Sequence, residues 1–208
     1  LVRANFVCLM SGTPIPPNYI KAEGMAGRMG ARMMAVVADG NNGRVYLSPT
    51  DESEMIASSA KPKWMPEGEF VKDARAFTPY LYGLSKWSDL FTSRQLVTLE
   101  VLSDLTQDVR DQVIHDFSAY KTDDKSRKIT EYADVLCTYL SFAISRLTMR
   151  SSSQATWDSS YLKIQNAFGR QALSMVWDYC EGNPFSTSSG NFSSCYEAIS
   201  DVLSTFVN

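Results

Sequence analysis

Asn183-Pro184-Phe185 is the short run in this chain whose residue types most directly suggest chemistry. Enzymes that methylate amino groups in DNA use an Asp/Asn-Pro-Pro-Tyr/Phe tetrapeptide. Its side-chain and backbone oxygens hold the target amino group, and its aromatic stacks on the flipped base. Here the second proline is missing, and the preceding Met175-Val176-Trp177-Asp178-Tyr179 reads as helix, so a helix terminator is the better account. Glycines at 24, 27 and 30 offer another candidate, but neither Gly-x-Gly-x-x-Gly nor a Walker Lys-Ser/Thr ending is present. Tight backbone packing beside a hairpin is the favoured reading of these glycines. The alternative is a loop that sets Lys21, Arg28 and Arg32 on DNA phosphate or on a neighbouring domain.

Four cysteines, Cys8, Cys137, Cys180 and Cys195, are spaced too widely for a zinc knuckle, and the lone His115 cannot complete a Cys/His set. No metal is expected. The thiols are read as free and buried, in a reduced setting. A Cys137–His115 nucleophile pair would need two helices to bring it together, and a surface histidine near a helix end is the simpler expectation.

The element that must position everything else runs from Leu90 to Phe117. Thr92 is a good N-cap, and Gln95 three residues later completes a capping box. Leu99, Leu102, Leu105, Val109, Val113 and Phe117 recur at three- and four-residue steps, which puts them on one helix face. A second long helix is expected over Ile129 to Arg150, with Ile129, Tyr132, Ala133, Leu136, Leu140, Ala143 and Leu147 as its apolar stripe. Between the two, Lys121 to Lys128 reads as a charged loop. Phe168 to Cys180 suggests a shorter helix, stopped by Gly182-Asn183-Pro184. A last helix near Ser194, with Glu197 completing a capping box, would bury Ile199, Val202, Leu203 and Phe206.

Toward the N-terminus, Arg3 to Leu9 looks like a short strand. Arg32 to Ala38 and Arg44 to Leu47 form the strongest hairpin signal, around Asp39-Gly40-Asn41-Asn42-Gly43. Thr50 to Ala60 can start a helix capped by Thr50. Lys61 to Tyr82 is an irregular linker whose Trp64, Phe77, Tyr80 and Tyr82 should pin it to a core. The fold class expected is α+β and predominantly helical, with a short N-terminal β-hairpin region followed by about four to five helices. Residues 1–49 form the small β-rich region and 50–208 the mainly helical one.

The chain has 208 residues, 44% of them hydrophobic and 21% charged, which is ordinary for a folded protein. No apolar run reaches membrane-spanning length, and no secretory signal opens the chain, so the expectation is a cytoplasmic protein with no membrane partner. It opens on Leu1 in apolar sequence, as an internal piece of something longer would. Net charge is −3, which argues against a dedicated nucleic-acid-binding domain. The distribution is uneven: residues 1–48 hold five basic residues against two acidic ones, a balance of +3, and the remainder carries −6. A solvated surface is the simpler meaning of that basic stretch, and phosphate contact the sharper one.

Several blocks together carry a resemblance. They are Tyr19-Ile20-Lys21-Ala22-Glu23-Gly24 with Gly27-Arg28-Met29-Gly30, Gly43-Arg44-Val45-Tyr46-Leu47, Tyr82-Gly83-Leu84, Asp89-Leu90-Phe91-Thr92 and Arg94-Gln95-Leu96. Further on come Phe168-Gly169-Arg170-Gln171-Ala172, Met175-Val176-Trp177-Asp178-Tyr179, Asn183-Pro184-Phe185-Ser186 and Ser188-Ser189-Gly190-Asn191. In order and spacing the chain resembles the middle of the large bacterial and archaeal adenine-specific DNA methylases that contain a zinc ribbon. The resemblance implies part of a DNA adenine N6-methyltransferase that uses S-adenosylmethionine. The glycine-rich cofactor loop, of Asp-Pro-Phe-x-Gly-Gly-Gly type, normally precedes this region. The catalytic Asp-Pro-Pro-Tyr motif normally follows it, so the chain itself carries no catalytic residue.

Where such proteins can show Cys-Pro-x-Cys, this chain reads Cys8-Leu9-Met10-Ser11, which leaves too few ligands for zinc. Phe91-Thr92 is similar to the Phe/Tyr-Thr-Pro segment beside the methionine end of S-adenosylmethionine, with Ser93 in place of the proline. The resemblance makes Phe91 and Thr92 candidate cofactor contacts. Lys21, Arg28, Arg32 and Arg94 become candidate DNA contacts, and DNA and the rest of the methyltransferase become the partners. A second class of function stays open: a non-catalytic interaction module that docks onto proteins of a restriction or phage-defence system.

Overall fold

The long helix begins where the sequence places it. In a computed structural model that describes residues 6–117 and 123–206, α3 spans Ser93–Asp116 behind Thr92. Thr92 Oγ1 accepts from the Gln95 N–H at 3.3 Å, and Gln95 Oε1 accepts from the Thr92 N–H at 2.9 Å. Both halves of the capping box are therefore made. Thr92→Ala should cost about 1 kcal/mol, whereas Ser93→Pro should be neutral or better, because proline suits the first helical position. Urea unfolding of the two variants checks this, and an unchanged midpoint for Thr92→Ala would remove the cap's contribution.

Five α-helices and three two-stranded antiparallel sheets are formed among the described residues, giving a mostly helical α+β fold. In chain order the elements are β1 (Phe6–Val7), β2 (Pro14–Ile15), α1 (Pro17–Met25), β3 (Val36–Gly40), β4 (Gly43–Leu47) and α2 (Asp51–Ser59). After α3 come α4 (Asp123–Thr148), β5 (Trp157–Asp158), β6 (Lys163–Ile164) and α5 (Ser193–Ser204). Two 3-10 turns, Pro79–Tyr82 and Trp87–Leu90, stand before α3. None of the described helices is long and apolar enough to cross a membrane.

α3 and α4 pair antiparallel. Cys137 Sγ donates to the Thr106 carbonyl at 3.3 Å, and Arg110 Nε donates to Asp134 Oδ1 at 2.7 Å. Ala133 and Ala143 are fully buried, and such small side chains let the helices approach closely. One core gathers Leu102, Ala143, Leu147 and Cys195, with Leu99, Ile144, Phe192 and Ile199 around it. A second, aromatic core joins Phe70, Leu90 and Leu173 to Phe77, Tyr80, Phe91 and Phe168. The linker is thus pinned as expected through Phe77 and Tyr80, but Trp64 is exposed.

The chain departs from expectation at several places. α4 starts at Asp123, not Ile129, so most of the anticipated charged loop is helix, supported by the Arg127–Glu131 pair at 3.2 Å. Residues 121 and 122 of that loop, and residues 3–5 of the first strand, lie outside the described residues. Within the first strand only Phe6–Val7 pairs, with Pro14–Ile15. The hairpin closes more tightly than predicted: Asp39 and Gly40 belong to β3, and Asn41-Asn42 alone make the turn. α1 forms despite Gly24, helped by Pro17 at its first position.

Phe168 to Cys180 forms no helix. Its backbone is taken by other segments: the Leu173 N–H donates to the Ala76 carbonyl at 2.6 Å, the Thr78 N–H to the Leu173 carbonyl at 2.9 Å, and the Cys180 N–H to the Ala155 carbonyl at 2.9 Å. Tertiary pairing here outweighs local helical periodicity. α5 is capped not by Ser194 and Glu197 but by Asn191, whose Oδ1 accepts from the Ser194 N–H at 2.7 Å. Of its predicted apolar face, Ile199 packs on the core while Val202 and Phe206 are exposed.

Candidate functional site at the start of the long helix

Blocks far apart in sequence meet around the start of α3. Leu90, fully buried, presents its carbonyl to the Ser153 N–H at 2.8 Å and to Ser152 Oγ at 2.7 Å, which docks the turn after α4 onto the segment leading into α3. Phe91 sets its ring against Phe168, centroids 6.3 Å apart and tilted by 49°. At the second residue of the helix, Arg94 Nη2 lies 2.7 Å from Glu181 Oε2. Beneath this surface are two buried amides. Gln95 Nε2 and Gln154 Oε1 make no hydrogen bond within the described chain, leaving one donor and one acceptor open. Open polar atoms at this depth typically cost about 1–3 kcal/mol each.

A second seam lies under α1. Gly24 packs so closely on the Tyr82-Gly83 backbone that a Cβ there would stand 2.5 Å from the Tyr82 carbonyl oxygen. The Tyr82 ring is edge-on to Trp177 at 4.9 Å, and Phe6 meets the same indole at 5.1 Å. The glycine was therefore used for close backbone approach, as its type suggests. That contact also ties the N-terminal region to the helical one.

The candidate cofactor contacts divide. Thr92 spends its N–H and a hydroxyl lone pair on the capping box, which leaves only its O–H to donate. Phe91 keeps a half-buried ring, an apolar wall and nothing more. The residues present do not make a complete site for S-adenosylmethionine.

The candidate DNA contacts are mostly engaged. Arg28 donates twice to Glu23, at 2.7 and 2.9 Å, and this holds the Glu23 carboxyl below the usual carboxylate range. Arg32 lies 3.5 Å from Glu54, and Arg44 pairs with Asp39 while donating to Ser188 Oγ at 3.0 Å. Lys21 forms no ion pair among the described residues. The four candidates do not form one patch: Lys21 and Arg28 belong to α1 and the turn after it, Arg32 faces α2, and Arg94 faces Glu181.

Asn183-Pro184-Phe185 is an Asx turn. Asn183 Oδ1 accepts from the Phe185 N–H at 2.9 Å, and Phe185 is 84% exposed. It ends no helix, and one lone pair of Asn183 Oδ1 is taken by its own turn. Cys137 and Cys195 thiols are pushed up by burial, and Cys180 to about 11, so none of the three is poised as a nucleophile at neutral pH. The exposed turn of Ser11 and its neighbours lowers the Cys8 thiol. His115 is exposed beside Asp116, well away from the Cys137 thiol that faces Thr106. Among the described residues no three His, Cys, Asp or Glu side chains gather as a metal site.

Glu181, Ser152 and Gln154 were invisible in the sequence. Their partners lie far along the chain, and no spacing rule links them. The polar run Ser151-Ser152-Ser153 directly after an apolar helix was the available signal. Compared with protein-family models, curated proteins and solved structures, the chain matches none of them.

Proposed function

We propose that the chain is the scaffold portion of a cytoplasmic DNA adenine N6-methyltransferase, with S-adenosylmethionine as methyl donor. The observation that carries this reading is the meeting of the resembling blocks. Gly24 seats on Tyr82-Gly83, Tyr82 on Trp177, and Phe91 on Phe168. Residues of the resembling blocks are thus among those that hold distant segments together, which is what a common scaffold requires. S-adenosylmethionine would supply the methyl group. This chain's part would be to hold Phe91 as one apolar wall, with Thr92 fixing the helix start behind it.

Surface area supports partnership with further protein. The accessible surface is 14,721 Å², against about 9,700 Å² expected for a compact chain of this mass. Val36, Val37, Val45, Tyr46 and Leu47 leave both faces of the β3–β4 hairpin apolar and exposed. The rest of the methyltransferase would cover such faces.

DNA contact would fall to Lys21, Arg28, Arg32 and Arg94 in the whole enzyme. Because Arg28 is held twice by Glu23 and Arg32 only loosely by Glu54, Arg32→Ala should weaken duplex binding more than Arg28→Ala. Both losses should shrink with added salt and be the same for all sequences, the mark of phosphate contacts. Fluorescence anisotropy across a salt series tests this. A loss that depended on sequence and not on salt would contradict it.

The ion pairing of Arg28, Arg32, Arg44 and Arg94 favours the second reading, a non-catalytic module that docks onto restriction or defence proteins. The parent gene discriminates the two. A glycine-rich Asp-Pro-Phe loop before this region and Asp-Pro-Pro-Tyr after it support the methyltransferase, and their absence supports the module.

A further inference from the structure

Every arginine from Arg28 to Arg127 lies within ion-pair distance of a carboxylate. The end of α4 breaks that pattern. Arg146 in its last turn and Arg150 just past it form no ion pair among the described residues. Arg170 is unpaired too, but it is exposed, where water solvates the charge. Arg150 is only partly exposed, and its Nε is shut off from solvent with no hydrogen-bond partner. A cation in such a place is costly, because nothing replaces its lost hydration. The negative end of the α4 dipole offsets part of one charge. It does not satisfy the Arg150 Nε–H, since the Leu147 carbonyl accepts from the Arg150 and Ser151 backbone N–H groups instead.

Both arginines lie by the start of α5. They act together on the thiol of Cys195, the third residue of that helix, and pull it down against the burial that raises it. The loop into α5 folds over the Arg150 stem: a Cβ added to Gly190 would stand 3.7 Å from the Arg150 Cβ. Asn191 Oδ1 takes the Ser194 N–H, whereas the Gly190 and Ser193 N–H groups make no hydrogen bond among the described residues. The acids of α5 are turned away, Glu197 and Asp201 lying about 200° and 240° round the helix from Cys195. We infer that Arg146 and Arg150, with the open N–H groups of Gly190 and Ser193, form a seat for a phosphate group. Two guanidiniums and the positive end of a helix match the double charge and the spread oxygens of phosphate. Two sources carry that group, the DNA backbone and a small phosphate ester, and the test separates them.

The test uses the 208-residue chain and inorganic phosphate and asks nothing of methyl transfer, so its outcome is independent of the methyltransferase reading. Sodium phosphate, compared with sodium chloride at equal ionic strength, should raise the thermal midpoint and saturate with a Kd of about 1 mM. Arg150→Gln should abolish the saturable rise. Without phosphate it should leave the midpoint unchanged or higher, because it removes an unpaired charge, whereas loss of a merely structural arginine would lower it. Arg146→Gln should weaken phosphate binding about tenfold, and it serves alone if Arg150→Gln does not fold. Arg75→Gln is the control, its side chain being 94% exposed, and should change nothing. Displacement of phosphate by a short DNA duplex would support the seat and assign it to the DNA backbone. Displacement by a nucleoside monophosphate but not by the duplex would support it as the seat of a small ester. A midpoint that follows ionic strength alone, or a saturable rise kept by both Arg150→Gln and Arg146→Gln, would overturn the inference.

Discussion

Gly83→Ala is expected to lose 3 kcal/mol or more of stability. Gly83 has φ +88°, a left-handed conformation that strains any residue with a Cβ. The added methyl would also run into the Gly24 carbonyl of α1. The obstacle is backbone on both sides, so no side-chain rotation relieves it. Relief requires α1 to lift from the Pro79–Tyr82 turn, and with it the aromatic contact of Tyr82 on Trp177. Gly27→Ala is the control: it shares the left-handed φ, at +69°, but has open space around it. It should cost about 1 kcal/mol. Denaturant midpoints for the pair separate strain from collision, and equal losses would mean that the α1 seam contributes nothing.

Leu147→Ala should cost about 3 kcal/mol. Leu147 is 1% exposed and sits among Leu102, Ala143 and Cys195, where α3, α4 and α5 converge. Two of those neighbours are small, so the walls have little to move inward, and truncation leaves a cavity. Leu105 belongs to the predicted apolar stripe of α3 yet is 48% exposed, and Leu105→Ala should cost less than about 1 kcal/mol. Urea unfolding compares the two, and a similar loss at both would show that the far end of α3 is packed after all.

That contrast marks how much of the fold was legible in the sequence. Caps are local, and the Thr92/Gln95 box and Thr50 were read correctly because their partners lie three residues away. Helix periodicity located α3 and α4 but could not say where their stripes stop being covered. Leu105 and Val109 keep the spacing of a core face, yet they are 48% and 36% exposed. Phe168 to Cys180 was misread because its backbone bonds go to Ala76, Thr78 and Ala155, none of which a local pattern can reveal. At the last helix two caps competed three residues apart, and Asn191 took the role given to Ser194. The candidate site was half legible: Phe91, Thr92 and Arg94 were named from the sequence, whereas Glu181 and Ser152 needed the fold.

The central claim is tested most directly by methyl transfer from labelled S-adenosylmethionine to unmethylated duplex DNA. Both the 208-residue chain and the complete product of its gene should be assayed. Transfer to an adenine amino group needs the base flipped out, its amino group held and the donor methyl presented in line. The sequence of the chain contains no Asp-Pro-Pro-Tyr tetrapeptide to hold that amino group, and Asn183 Oδ1 already accepts a bond from its own turn. The account predicts labelled N6-methyladenine from the complete product and none from the chain alone. A complete product that binds DNA and leaves every adenine unmodified would contradict it.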